Sequence, residues 1–194
     1  VHNQELFRGA HDAACLLGHI TLEPGGPECD CGKRGCLAAV ATDITFIQSI
    51  WPDISKRAVQ MTVAEREKLV KKGLSLAMSG HANAHAALET LTRHLGVAVA
   101  NAVSTFDPRT VFIGGTLIEV APDLAIDMIR REAMRHIWQE SSGVEIRPLL
   151  HYEDFTLHGA TGLVLSEPYR ALQKEIVSAR TVRSSVTAKL HSST

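Results

Sequence analysis

The segment GHITLEPGGPECDCGKRGCL, residues Gly18–Leu37, concentrates the metal-binding chemistry of this chain. It contains three of the four cysteines, with a histidine ten residues before the first of them. Zinc favours four tetrahedral ligands, and three thiolates with one imidazole are a common set in structural sites. We therefore predict one structural zinc ion, bound by His19, Cys29, Cys31 and Cys36.

The residues between these ligands suit a tight loop around a small cation, which we place at residues 18–38. Gly32 and Gly35 tolerate the positive φ angles that such a loop needs. Lys33 and Arg34 offset the excess negative charge of three thiolates. Because four protein ligands leave no coordination position for water, the site is expected to hold the loop together, and we assign it no catalytic residue.

Three other interpretations of the cysteines remain open. They could form a disulfide, although Cys29 and Cys31 are poorly placed to pair with each other, or they could be unliganded thiols in a reduced loop. A nucleic-acid-binding zinc knuckle is the third. Its usual spacing differs from C-x-C with one remote upstream histidine, and aromatic residues for base stacking are missing nearby.

The composition is that of an ordinary globular protein, with 194 residues, 45% hydrophobic and 21% charged. The formal net charge of -1 gives no general attraction to nucleic acid or to an anionic membrane. No apolar run approaches the roughly 20 residues of a membrane helix, and three close cysteines indicate metal binding in a reducing compartment. We expect a cytoplasmic protein without a membrane partner. The chain begins at Val1, which is compatible with a segment upstream.

Helical and strand patterns alternate along the rest of the chain, which predicts an α/β architecture. A short strand is predicted at His19–Leu22. Helices are predicted at 37–50, from the capping box Thr62-Val63-Ala64-Glu65 to about 79, at 83–106 and from Pro122 onward. Strands are predicted at 110–113 and 144–150. The buried stripe of the longest helix is predicted to contain Leu88, Leu91, Leu95, Val99, Ala102 and Phe106. Residues 178–194, rich in Ser and Thr, are predicted to be a flexible tail after a single lobe at 1–177.

The zinc loop resembles the signature of the ROK (repressor, ORF, kinase) family of bacterial sugar kinases and sugar-responsive repressors. The likeness rests on Arg8–Ala14, on Gly18-His19 and on Cys29-Asp-Cys-Gly-Lys-Arg-Gly-Cys-Leu37. It continues through Gly96–Pro108, Val111–Gly115 and Gly159–Gly162, and covers about Val1 to Leu172. The resemblance implies the C-terminal lobe of an actin-like, ribonuclease-H-like ATPase fold. It places Gly114 and Gly115, with Thr116 after them, beside a nucleotide, and His19 also near the sugar.

The chain departs from the family pattern at two sugar-binding positions. Leu16 and Ala38 stand where the family has glutamates that accept hydrogen bonds from sugar hydroxyls. Losing such a partner costs roughly 1.5–3 kcal/mol. The family's catalytic Asp and its phosphate-binding Asp-Gly-Thr segment would lie before Val1, so this chain alone is expected to have no kinase activity.

The resemblance implies three candidate functions. The first is the effector-sensing and dimerising domain of a ROK-type transcriptional regulator, which would bind a sugar or sugar phosphate and reach DNA only through an upstream domain. The second is the C-terminal lobe of a ROK sugar kinase such as a glucokinase. The third is a zinc-stabilised module that serves only oligomerisation. The family resemblance, together with the exposed face expected of a single lobe, predicts a homodimer or a larger homo-oligomer.

Overall fold

The computed structural model describes residues 9–151, 154–155, 157–162 and 164. The chain divides into two units, Val1–Leu150 and His151–Thr194. The described residues of the second unit after His151 are helical. The boundary predicted at residue 178 lies outside the described residues.

The first unit is α/β, as predicted. Its helices are α1 (Leu37–Val40), α2 (Asp43–Ile50), α3 (Ser55–Ala58), α4 (Val63–Met78), α5 (Ala82–Phe106), α6 (Thr116–Val120) and α7 (Pro122–Ala133). Its strands are β1 (Thr110–Ile113) and β2 (Glu145–Pro148), and short 3-10 turns cover Leu17–His19, Pro52–Ile54 and Gln139–Ser141. None of the helices within the described residues is long and apolar enough to cross a membrane.

Side-chain caps decide where two helices begin. Before α4, the Glu65 backbone N–H donates to Thr62 Oγ1 and the Thr62 N–H donates to Glu65 Oε2, which confirms the predicted capping box. The single helix predicted at 37–50 is wrong. Thr42 has an extended backbone and makes a second capping box with Thr45, so the segment divides into α1 and α2.

Helix α5 packs against two hydrophobic clusters. Its first half, with Leu88 and Leu91, contributes to a cluster with α2 and α4. Its second half, with Val99 and Val103, contributes to a cluster with α6, α7 and β2. Leu88, Leu91, Val99 and Ala102 of the predicted stripe are buried and Leu95 is partly buried. Phe106 is instead 44% exposed at the end of the helix, beside Asp107 with its left-handed φ of 41°.

The two strands form a parallel pair joined by α6 and α7. Thr110 aligns with Glu145 and Ile113 with Pro148. Parallel strands need a crossover connection, and the two helices provide it. The predicted strand at His19–Leu22 is wrong: His19 ends a 3-10 turn, and Thr21 makes a single antiparallel bridge to Cys36.

Candidate metal centre

Backbone hydrogen bonds shape the cysteine loop before any metal is considered. Glu23 to Gly26 form a turn closed by the Gly26 N–H donating to the Glu23 carbonyl, 2.8 Å, with Gly25 at φ 77°. A second turn has the Gly32 N–H donating to the Cys29 carbonyl, also 2.8 Å. These turns fold the loop so that its ligands approach from both ends.

Gly35 holds the two sides of the loop together. The N–H groups of Leu22 and Glu23 both donate to its carbonyl oxygen, at 2.8 and 3.1 Å. Its φ is 71°, and a Cβ atom at this position would lie 1.6 Å from the Glu23 carbonyl oxygen. Only glycine fits here without displacing the facing backbone at Glu23.

The four predicted ligands lie together. The donor atoms of His19, Cys29, Cys31 and Cys36 are all within 4.8 Å of one another. His19 Nδ1 is 3.6 Å from Cys29 Sγ, and the sulfurs of Cys31 and Cys36 are 3.6 Å apart. All four cysteines of the chain are free thiols in the structure.

The two 3.6 Å separations match tetrahedral zinc. With zinc–sulfur bonds of about 2.3 Å and a zinc–nitrogen bond of about 2.0–2.1 Å, a tetrahedron places two sulfurs about 3.8 Å apart and a sulfur about 3.6 Å from the nitrogen. The cluster can therefore hold a metal ion, and its sulfur-rich set suits zinc. Nδ1 is the ring nitrogen of His19 that faces the Cys29 sulfur and would bind such an ion, a detail that the spacing of residues could not show.

The thiols differ in how readily they lose a proton. Burial raises the pKa of the Cys36 thiol to about 11, and hydrogen bonds with Cys31 and Cys29 add to this effect. The backbone N–H of Lys33 donates to the sulfur of Cys31 and lowers the pKa of that thiol. Metal binding must therefore displace a firmly held proton from Cys36.

The two basic residues of the loop have different environments. Lys33 donates from Nζ to the His19 carbonyl, 2.9 Å, and its charge helps to lower the pKa of Cys31. Arg34 is exposed and pairs with Glu28 at 2.8 Å. The predicted charge compensation is therefore visible in the structure only for Lys33.

One contact of the loop was missed by sequence reasoning. His94 of α5 has its Nε2 2.7 Å from Oε1 of Glu23. The two residues are 71 positions apart, so no local pattern signals the pair. An isolated histidine within the apolar face of a predicted helix was the one available hint.

A family model described as "ROK family" matches residues 1–167, which is most of the chain. The chain belongs to the ROK family. The relatives described below fall on both sides of that family, the regulators and the kinases.

Two curated ROK relatives show this division. The DNA-binding transcriptional dual regulator NagC of Escherichia coli K12 is 30% identical over 119 residues, 61% of this chain and 29% of the relative. The glucokinase of Thermotoga maritima is 30% identical over 166 residues, 82% of this chain and 51% of the relative. The chain therefore spans only about a third to a half of these two proteins.

A solved ROK structure shares the fold. The ROK hexokinase from Thermus thermophilus superposes with a TM-score of 0.58 at 28% sequence identity, over 74% of this chain and 45% of the hexokinase. The chain thus has a sugar-kinase-type fold neighbour, although the comparison does not separate a kinase from a regulator.

Leu16 and Ala38, where the family resemblance predicts glutamates, lie in the two segments that carry His19 and follow Cys36. Leu16 immediately precedes the 3-10 turn that carries His19, and it is 58% exposed. Ala38 follows Cys36 in α1, and its Cβ is 3.7 Å from where a Cβ on Gly18 would be. Leu16 and Ala38 thus belong to segments that contact each other.

Gly114, Gly115 and Thr116 lie on a different element from the metal cluster. They follow β1, where Gly115, with a φ of 122°, precedes α6. No neighbouring atom lies within 4 Å of the position of a Cβ on Gly115, so the backbone there faces open space. The predicted nucleotide contact remains a prediction.

Proposed function

We propose that this chain is the effector-sensing and dimerisation domain of a ROK-family sugar-responsive transcriptional regulator. In this proposal His19, Cys29, Cys31 and Cys36 hold one structural zinc ion. When bound, zinc would cross-link the loop through its four protein ligands. It would carry no reactive water, because those ligands fill its coordination sphere. DNA binding belongs to an upstream domain, and the protein acts as a homodimer or larger homo-oligomer in the cytoplasm.

The observation that carries the regulator assignment is the pair of side chains at positions 16 and 38. Neither leucine nor alanine accepts a hydrogen bond, and each lost acceptor weakens a sugar complex by roughly tenfold or more. A kinase must hold its sugar in a reactive geometry, whereas a regulator needs only a difference in affinity between two states. Leucine at position 16 and alanine at position 38 are therefore easier to reconcile with a regulator than with a kinase.

Zinc content is the first test of the proposal. The 194-residue chain, purified without chelator and measured by elemental analysis, is expected to carry one zinc per chain. The variant Cys31→Ser is expected to carry less, while Cys15→Ser, at a cysteine outside the cluster, is expected to match the parent. A metal-free parent would overturn the zinc assignment.

A second candidate is the C-terminal lobe of a ROK sugar kinase. It is favoured by the longer match to the Thermotoga glucokinase than to the regulator NagC. The gene sequence upstream of the codon for Val1 separates the two candidates. A winged helix-turn-helix pattern supports the regulator, whereas an Asp-Gly-Thr phosphate loop with a catalytic Asp in an Asn-Asp context supports the kinase.

Calorimetry separates the regulator from a module that serves only oligomerisation. Titration with a panel of sugars, amino sugars and their phosphates is expected to give saturable binding of at least one of them. No binding by any member would favour the oligomerisation module. Light scattering is expected to show a dimer or larger species, and a monomer at all concentrations would contradict the proposed self-association.

A further inference from the structure

The hydrogen bond between Glu23 and His94 joins the metal loop to the interior of the helical unit. His94 is 8% exposed, and its Nε2 lies 2.7 Å from a Glu23 carboxylate oxygen. Glu23 belongs to neither helix nor strand and sits between the ligands His19 and Cys29. The contact therefore attaches an irregular loop to the longest helix of the unit.

Packing does not explain a histidine at position 94. Its Nδ1 is buried and finds no hydrogen-bond partner among the residues that the structure describes. Buried polar atoms are nearly always paired, so an unpaired one needs a reason. An apolar side chain would fill the same space without leaving Nδ1 unpaired, and the remaining nitrogen, Nε2, is the one that donates to Glu23.

The backbone of Glu23 is hydrogen-bonded to the segments that lead to Cys29 and to Cys36. Its backbone N–H donates to the Gly35 carbonyl, one residue before the ligand Cys36, and its own carbonyl accepts from Gly26 in the turn that leads toward Cys29. Fixing the Glu23 side chain on α5 therefore restricts the backbone that carries Cys29 and Cys36. A loop fixed in this way loses less conformational freedom when it closes around an ion.

We propose that His94 is a positioning residue for the metal loop, which it holds through Glu23 in the conformation that binds zinc. The inference rests on the proposed zinc site. It goes beyond that site in coupling zinc binding to helix α5, and by thermodynamic linkage zinc must in turn stabilise the contact with α5.

The first experiment measures zinc affinity by competition with a chromophoric chelator. His94→Leu and Glu23→Ala are each expected to weaken zinc binding by about tenfold, the lower end of the loss seen for residues that support metal ligands. The double variant is expected to be no weaker than either single variant, because both remove one interaction. His94→Gln, which places an N–H near the position of Nε2, is expected to stay within about threefold of the parent.

A matched control uses another histidine of the same helix. His85 is exposed, and its Nδ1 lies 3.7 Å from Oε2 of the exposed Glu89. His85→Leu is expected to leave zinc affinity unchanged. A similar loss in His85→Leu and His94→Leu, or no recovery in His94→Gln, would overturn the positioning role.

Amide hydrogen exchange provides a measurement that a merely structural role would not change. Zinc is expected to slow exchange around residues 91–98 of α5 in the parent and in His94→Gln, but not in His94→Leu. Equal protection in all three overturns the coupling. A parent that binds no zinc overturns the zinc site itself, whereas a parent and a His94→Leu variant that bind zinc equally overturn only the role of His94.

Discussion

Gly96 of helix α5 lies directly against Glu132 of helix α7. A Cβ atom at Gly96 would be 2.6 Å from Cβ of Glu132 and 3.0 Å from the backbone nitrogen of Ala133. Neither atom is the free end of a flexible side chain, so the two helices pack this closely only because residue 96 has no side chain.

Gly96→Ala is therefore expected to destabilise the protein despite the better helix propensity of alanine. Overpacking of this kind costs about 1–3 kcal/mol. Chemical denaturation measures the change. Gly143→Ala serves as the control, since no atom lies within 4 Å of a Cβ there. Equal stability of the parent and Gly96→Ala would show that α7 can shift without cost.

Glu132 also predicts a pH dependence of stability. Hydrogen bonding by His136, with the charge and hydrogen bond of Arg135, holds the pKa of the Glu132 carboxyl below its ordinary value. A carboxyl with a lower pKa in the folded state stabilises the fold above its unfolded pKa, and this contribution is lost as pH falls through the folded pKa. The advantage of the parent over Glu132→Gln is thus expected to be present at pH 6 and to shrink as pH falls below the ordinary Glu pKa of about 4.3.

Denaturation midpoints at several pH values test this dependence. Glu140→Gln is the control, because Glu140 is exposed and has no ion pair or hydrogen bond among the described residues. A difference between the parent and Glu132→Gln that stays constant from pH 6 to pH 3 would contradict the assignment.

Thiol labelling is expected to separate Cys15 from the other cysteines. Cys15 is exposed and outside the cluster, whereas Cys29, Cys31 and Cys36 provide the sulfurs of the proposed metal site. Metal-bound thiolates react slowly, so mass spectrometry of the zinc-loaded protein should show one rapidly labelled cysteine per chain, and chelator should expose three more. Four equally reactive thiols in the presence of zinc would contradict the site.

Zinc affinity is expected to fall as pH is lowered from 8 to 6. The Cys36 thiol, with a pKa of about 11, is protonated across this range without metal, so binding must release its proton. Each released proton changes the apparent affinity by about tenfold per pH unit. Chelator competition at pH 6, 7 and 8 measures the slope. An affinity independent of pH would indicate ligands other than thiolates.

Two glycines of the loop provide a matched pair of substitutions. Gly32 and Gly35 both have positive φ, 83° and 71°, but only Gly35 faces a backbone oxygen within 4 Å. Gly32→Ala is expected to cost about 1–2 kcal/mol of backbone strain and to retain zinc. Gly35→Ala is expected to displace Glu23 and abolish tight zinc binding. Equal zinc affinity of the two variants would show that the loop tolerates the displacement.

Local features of the chain could be predicted from sequence, because their partners are close along it. The capping box of Thr62 and Glu65 lies within four residues, and Cys29, Cys31 and Cys36 lie within eight. The gap after α1 was missed because Thr45 caps Thr42 with a hydroxyl rather than with the usual Glu or Gln. The contact of Glu23 with His94 depends on how α5 packs, which periodicity does not specify.

The position of α5 in both hydrophobic clusters has a consequence for unfolding. Leu88 and Val103 belong to different clusters but to one continuous helix. Loss of either cluster removes the packing that keeps half of this helix formed, and a helix of 25 residues depends chiefly on tertiary packing for its stability. The two clusters should therefore unfold as one cooperative unit. A destabilising substitution in either cluster should then lower the midpoint of a single unfolding transition that includes both.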